Sequence, residues 1–167
     1  TIFHQPNSGY THQIGCGATL AALTGIQTVC DFRQGDVALG GQGAPLVPIG
    51  DQLLFSDFSY CLNLGGFANV SYELNGSRIA FDISPLNVVL NNLARRLGAD
   101  YDDEGKLADS GKLIPELFDQ LNHLEYYHVA APKSLGVEWV EENITPLILK
   151  YSINNDIADL LNTFGIH

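Results

Sequence analysis

The sequence predicts a mixed α/β chain, and three observations predict it. Three strand-like runs, Ser59 to Leu64, Ala68 to Leu74 and Arg78 to Phe81, are punctuated by Gly65-Gly66 and by Asn75-Gly76, the second a type I′ hairpin signal. Leu86, Val89, Leu90, Leu93 and Leu97 then recur at helical spacing and stop at Gly98, so a strand feeds an amphipathic helix across Asp82 to Pro85. Beyond Ala99 the pattern is mainly helical, with helices expected near Leu113 to Leu121, Gly136 to Lys150 and Asp156 to Phe164.

The first third of the chain is read in the same way. Leu20, Ala21 and Leu23 make a short helical pattern over Gly17 to Thr24, closed by Gly25 at the position of a left-handed cap. Ile26 to Phe32 reads as a buried strand because of its Thr-Val-Cys centre, and it delivers Asp31, Arg33 and Asp36 into the next loop. From Gly35 to Pro48 the Gly and Pro content predicts an irregular, functional loop, followed by a short helix from Val47 to Phe55.

Composition removes several classes of function. With 167 residues, 46% of them hydrophobic and 16% charged, the chain holds apolar material for one substantial core. Eight Lys plus Arg against nineteen Asp plus Glu leave a net charge of -11, which repels nucleic acid and anionic lipid. No apolar run reaches membrane-spanning length and no signal peptide opens the chain, so the expectation is a soluble, cytoplasmic protein. Cys16, Cys30 and Cys61 are widely spaced and form no CxxC pair, which predicts reduced, mostly buried thiols and neither a disulfide framework nor a zinc site. The chain has no Met and opens on Thr1-Ile2-Phe3, which suggests an internal piece of a longer reading frame.

Two acidic or imidazole groupings do not satisfy metal geometry. Asp100 to Gly105 resembles the start of a calcium loop, but the twelfth place is Gly111 in place of a bidentate Glu, so a solvated acidic turn is expected. His123 and His128 stand five apart, which puts the imidazoles on different helical faces. Other groupings suit a polar ligand. The Gly40-Gly41-Gln42-Gly43 loop lets backbone N–H groups approach a ligand, and it follows Asp31, Arg33 and Asp36, which can orient hydroxyls and fork a carboxylate. LNLGGFAN at 62–69 places a glycine pair between two strands, ahead of Asn69. Asp82, at a strand end before a helix, stands where a cleft carboxylate belongs in an α/β enzyme and equally where a helix N-cap belongs.

Taken in order and register, DFRQGDVALGGQGAPLVP at 31–48, LNLGGFAN at 62–69, AFDISPLN at 80–87 and APKSLGVE at 131–138 resemble the anhydro-N-acetylmuramic acid kinase family. TIFHQP at the start and YDDEGKLADSGKL at 101–113 are similar to the same family. The resemblance implies an actin-like, hexokinase-type fold of two ribonuclease-H-like domains, with 1–57 ending the first domain and 58–167 beginning the second. It implies an ATP-dependent kinase of cell-wall recycling that opens the anhydro ring with water and phosphorylates the sugar at O6, with Asp82 as catalytic base. It further implies Arg33, Asp36, Gln42 and Asn87 on the sugar, Gly65, Gly66 and Asn69 on phosphate, and ATP with Mg2+ as cofactors.

This chain differs from the family pattern in two places. Where the family reads Asp-Thr-Gly-Pro-Gly-Asn, residues 82–87 read Asp-Ile-Ser-Pro-Leu-Asn, which keeps the acid, the proline and the amide but neither glycine. The family's N-terminal Gly-Thr-Ser-x-Asp-Gly phosphate loop and its C-terminal Gly-Gly-Gly motif have no counterpart. The expectation is therefore a central fragment, inactive alone, whose complete form binds an amino sugar and ATP, with a homodimer as a possible assembly and no nucleic acid or membrane partner. Two other readings stand beside it: a kinase for a related amino sugar, and a non-catalytic sugar-binding or interaction module of the same fold.

Overall fold

Asn75 and Gly76 take φ of 52° and 77°, as a type I′ turn requires, and the strands on either side of them are the longest in the chain. The computed structural model describes residues 3–44 and 46–167; Thr1, Ile2 and Pro45, which belong to the motifs TIFHQP and DFRQGDVALGGQGAPLVP, lie outside the described residues. Two short strands, β1 (Phe3–Gln5) and β2 (Tyr10–His12), form an antiparallel pair of their own. Three helices follow: α1 (Gly17–Thr24), α2 (Phe32–Ala38) and α3 (Pro48–Leu54). An antiparallel sheet of β3 (Tyr60–Leu64), β4 (Phe67–Leu74) and β5 (Ser77–Pro85), in the order β3-β4-β5, comes next. The chain then becomes helical: α4 (Asn87–Arg96), α5 (Lys106–Asp109), α6 (Pro115–Asn122), α7 (Val137–Asn143), α8 (Thr145–Tyr151) and α9 (Ile157–Ile166).

The core lies on the helical side. Leu93, Leu117, Leu121, Ile144, Leu160 and Leu161 are fully buried, with Val89, Ile114, Val140, Ile148 and Phe164 packed among them. Thr163 is buried here too, and both of its needs are met: its hydroxyl donates to the Asp159 carbonyl at 2.7 Å and accepts the Ile114 N–H at 2.8 Å. Ahead of the sheet, by contrast, the only buried hydrophobic among the described residues is Val37. The first segment is tied to the sheet by a polar contact, Ser71 donating to Asp51 of α3, and within the sheet Arg78 donates to Ser71 at 2.9 Å and to Cys61 Sγ at 3.3 Å.

Several expectations hold and several are corrected. α1 ends on Gly25 at φ 69°, as read, and the amphipathic helix buries Val89 and Leu93. The strand expected from Ile26 to Phe32 does not form: 26–31 are irregular, Asp31 is left-handed at φ 63°, and α2 starts at Phe32. The physical reason is a missing ladder, since Ile26 and Val29 are exposed and β propensity without a neighbouring strand leaves backbone groups unpaired. α2 also claims the first residues of the expected loop from Gly35 to Pro48. The single helix expected from Gly136 to Lys150 is two, because Pro146 lacks an N–H and its ring crowds the preceding turn; it sits instead in the first turn of α8. Cys16 and Cys30 are exposed where buried thiols were expected, and all three cysteines are free.

The acidic turn at 100–105 is a helix start. Asp102 accepts the Leu107 N–H at 2.7 Å and the Ala108 N–H at 3.0 Å. Among the described residues no group of three or more His, Cys, Asp or Glu could hold a metal ion, and no helix is long and apolar enough to cross a membrane.

Leu121→Ala in the helical core is expected to lower stability by about 3 kcal/mol through lost burial and a residual cavity. Ile153→Ala, at a site 79% exposed, is expected to change it by less than about 0.5 kcal/mol. Urea unfolding of both variants checks the pair, and equal losses would contradict the placement of the core.

Candidate functional site

Asp82 lies within β5 and not at its end, because the strand continues to Pro85. The register explains how its side chain is aimed. Ala68 stands opposite Ser84 while Asn69 stands opposite Asp82, so Ile83 is one residue extra on β5, a bulge directly beside the carboxylate. Bulges bend a strand locally and re-aim the side chains next to them. Asp82 is 4% exposed, and its Oδ2 accepts the Leu135 N–H at 2.8 Å. Burial pushes its carboxyl above the ordinary range, and the Leu135 hydrogen bond and the Arg33 guanidinium oppose that rise.

A cleft of about 460 Å³ opens over this carboxylate. Of the residues expected from the sequence to form a site, it is lined by Arg33, Gly66, Asn69 and Asp82. His4, Asn63 and Glu138 also line it, and reading the sequence did not single out any of the three. His4, Asn63 and Glu138 fall inside the quoted family segments TIFHQP, LNLGGFAN and APKSLGVE, which was the one available signal.

Two nitrogens on the wall of the cleft are unsatisfied. Arg33 Nε and His4 Nε2 are buried without a hydrogen-bond partner. Thr11 donates its hydroxyl proton to the Phe3 carbonyl at 3.3 Å, so its oxygen is free to accept from His4 Nδ1 at 3.3 Å. That arrangement leaves Nε2 as an acceptor. Burial and the neighbouring Arg33 charge lower the His4 pKa, while Glu138 opposes them, so the imidazole is neutral near pH 7. Gly43, at φ 64°, lets the loop close on α2: a Cβ there would stand 2.8 Å from Arg33 Cγ and 2.7 Å from Val37 Cγ2.

The other expected residues stand one step behind the cleft. Asp36 Oδ2 accepts the Gly43 N–H at 2.7 Å and its carbonyl accepts the Gly41 N–H at 2.8 Å, so its carboxylate shapes the Gly-rich loop. Gln42 accepts a hydrogen bond from Ser134 at 3.2 Å. Asn87 donates to the Gly65 carbonyl at 2.9 Å, and the Leu86 and Val88 N–H groups donate to the Gly66 carbonyl, which fastens the glycine turn to the start of α4. The Gly65 and Gly66 carbonyls are thus occupied, while their N–H groups donate to no acceptor among the described residues.

Sheet, bulge and cleft bring one desolvated acid together with an arginine, a histidine and a glycine turn, groups able to hydrogen-bond hydroxyls and anions. Comparison makes the assignment specific: the profile of the family described as "Anhydro-N-acetylmuramic acid kinase" matches residues 1–164, and the chain belongs to that family. The family is one of actin-like sugar kinases, with which the mixed α/β architecture agrees. The chain is similar to proteins named anhydro-N-acetylmuramic acid kinase from Colwellia psychrerythraea (41% identical over 163 residues, 87% of this chain and 41% of that protein) and from Shewanella loihica (42% over 180 residues, 100% and 48%). It is similar also to one from Coxiella burnetii (43% over 158 residues, 86% and 42%). The chain therefore spans less than half the length of these relatives.

The raised Asp82 pKa has a signed consequence for stability. The folded state holds the proton to higher pH than the unfolded state, so this residue's contribution falls as pH rises from the ordinary carboxylate pKa through the folded value. Asp82→Asn is expected to remove that slope, and urea midpoints of both proteins across acidic pH check it. A difference between them that stays flat with pH would count against the desolvated carboxylate.

Proposed function

We propose that the complete protein is an ATP-dependent kinase that opens 1,6-anhydro-N-acetylmuramic acid with water and phosphorylates it at O6, with Asp82 as the base. The observation that carries this reading is a buried carboxylate with a raised pKa lining a cleft beside Arg33 and His4, in a chain of this family. More than half of the length of each of these relatives lies outside the region this chain matches, so the activity is assigned to the complete protein. In the same reading 1–57 end one actin-like domain and 58–167 begin the next, which accords with the buried hydrophobic core lying, Val37 apart, beyond Phe67. A cytoplasmic location and a homodimer belong to this proposal as well.

The step balances as follows. Asp82 Oδ1 takes a proton from water, the water oxygen bonds to C1, the C1–O6 bond breaks, and O6 accepts the phosphoryl group, giving the 6-phosphate and ADP. Asp82 suits this because its Oδ2 is already held by Leu135, which fixes the carboxylate plane while its raised pKa makes it a stronger base than a solvated Asp. Arg33 offers a buried, unpartnered Nε to a substrate carboxylate, and His4 Nε2 accepts from a sugar hydroxyl. Asp36 and Gln42 support the sugar by holding the Gly-rich loop, and Asn87 by holding the glycine turn. Gly65 and Gly66 fit a phosphate because their N–H groups are uncommitted, and Asn69 lines the cleft next to them. ATP supplies the γ-phosphoryl group when bound. Mg2+ is the expected companion of that phosphate, and no cluster among the described residues is built to hold it, so no step here is assigned to it.

The test is ATP-dependent phosphorylation of the anhydro-sugar by the complete gene product. Asp82→Asn is expected to cut kcat by about a thousandfold. Arg33→Ala is expected to raise KM for the sugar by about tenfold or more with a smaller effect on kcat. Wild-type activity in Asp82→Asn would remove the base assignment; phosphorylation of a different amino sugar alone would favour the related-kinase reading.

A further inference from the structure

β5 has β4 on one side at Asp82 and, among the described residues, no strand on the other. Residues 126–135 fill that outer edge with single contacts. The Asp82 N–H donates to the Lys133 carbonyl at 3.2 Å, and the Asp82 carbonyl accepts the Tyr126 hydroxyl at 2.7 Å. The same segment supplies the Leu135 N–H to Oδ2. Tyr126 is 9% exposed; its ring lies beneath Lys133 Nζ, 4.5 Å from the ring centroid, and beside Trp139 at 5.3 Å between centroids. Lys133 Nζ also donates to the Tyr126 carbonyl at 2.8 Å. Tyr126 does not line the cleft.

We propose that Tyr126 is a positioning residue for Asp82, acting through the Asp82 backbone carbonyl so that the 126–135 segment keeps Oδ2 on Leu135 and leaves Oδ1 to the cleft. The proposal rests on Asp82 being the base. A phenol serves here because it is rigid, is anchored by Lys133 and Trp139, and ends in a donor that reaches the open edge of β5. Burial and the Asp82 charge push the phenol pKa far up, so the hydroxyl remains a donor throughout the working range. Without it, a buried carbonyl loses its partner, the edge loosens, and the Leu135 bond that favours the carboxylate weakens. The charged and titratable groups around Asp82 are Arg33 of α2, His4 of β1, Glu138 of α7, and Lys133, Tyr126 and Tyr127.

Tyr126→Phe in the complete protein tests this, because it keeps the ring and removes only the donor. Steady-state phosphorylation of the anhydro-sugar is measured from about pH 5 to about pH 9, with melting temperature and Asp82→Asn alongside. The expected result is a kcat lower by about tenfold, a sugar KM within about twofold of wild type, and an acid limb of kcat displaced to higher pH. Unchanged kcat and an unmoved acid limb, with or without a lower melting temperature, overturn the positioning role. An inactive Asp82→Asn beside an unaltered Tyr126→Phe overturns this role alone, whereas a fully active Asp82→Asn overturns the base assignment and the role with it. If Tyr126→Phe does not fold, Lys133→Met, which removes the cation from the Tyr126 ring, takes its place: an acid limb displaced upward supports the role, and an unmoved one overturns it.

Discussion

The hydrogen bond from the Leu135 N–H to Asp82 is the constraint on which the site depends. It is a long-range contact, 53 residues apart in sequence, and it joins the sheet to the segment before α7 at the one buried carboxylate of the described residues. A carboxylate taken out of water needs such a donor, since without it the charged form bears the whole cost of desolvation. The bulge at Ile83, the cleft above it and the packing of Trp139 against Tyr126 all take their positions relative to this junction.

Local signals were legible in the sequence wherever the chain's own chemistry decides the outcome. Asn75-Gly76 fixed its turn by φ, Gly25 its helix end, and the Val89 and Leu93 spacing its buried face. Where the outcome depended on a partner far along the chain, the sequence was silent or misleading. Ile26 to Phe32 had strand composition and no neighbour to pair with, and Pro146 divided a pattern whose apolar periodicity ran through it. Asp82 was singled out by its place between a strand and a helix and by its family segment, yet the extra residue that re-aims it is visible only in the β4–β5 register.

The candidate residues divide along the same line. Arg33, Gly66, Asn69 and Asp82 reach the cleft, whereas Asp36, Gln42 and Asn87 use their side chains on backbone or on Ser134. A motif records that a residue type is needed without recording which side of the loop it faces. His4 and Glu138 illustrate the converse: each is an ordinary polar residue in sequence, and each acquires meaning from sharing a wall with Arg33 and Asp82.

The contact between Ser134 and Gln42, at 3.2 Å, behaves as a clasp. A neutral hydrogen bond of this kind is worth about 1 kcal/mol net, less than twice the thermal energy, so it fastens the loop only lightly. Ser134 sits between Lys133 and Leu135, the two residues whose backbones hold Asp82, and Gln42 sits in the loop that Asp36 shapes. A molecule that steadied the loop would therefore also steady the hold on the acid, and by reciprocity an acid held in place would favour the closed loop.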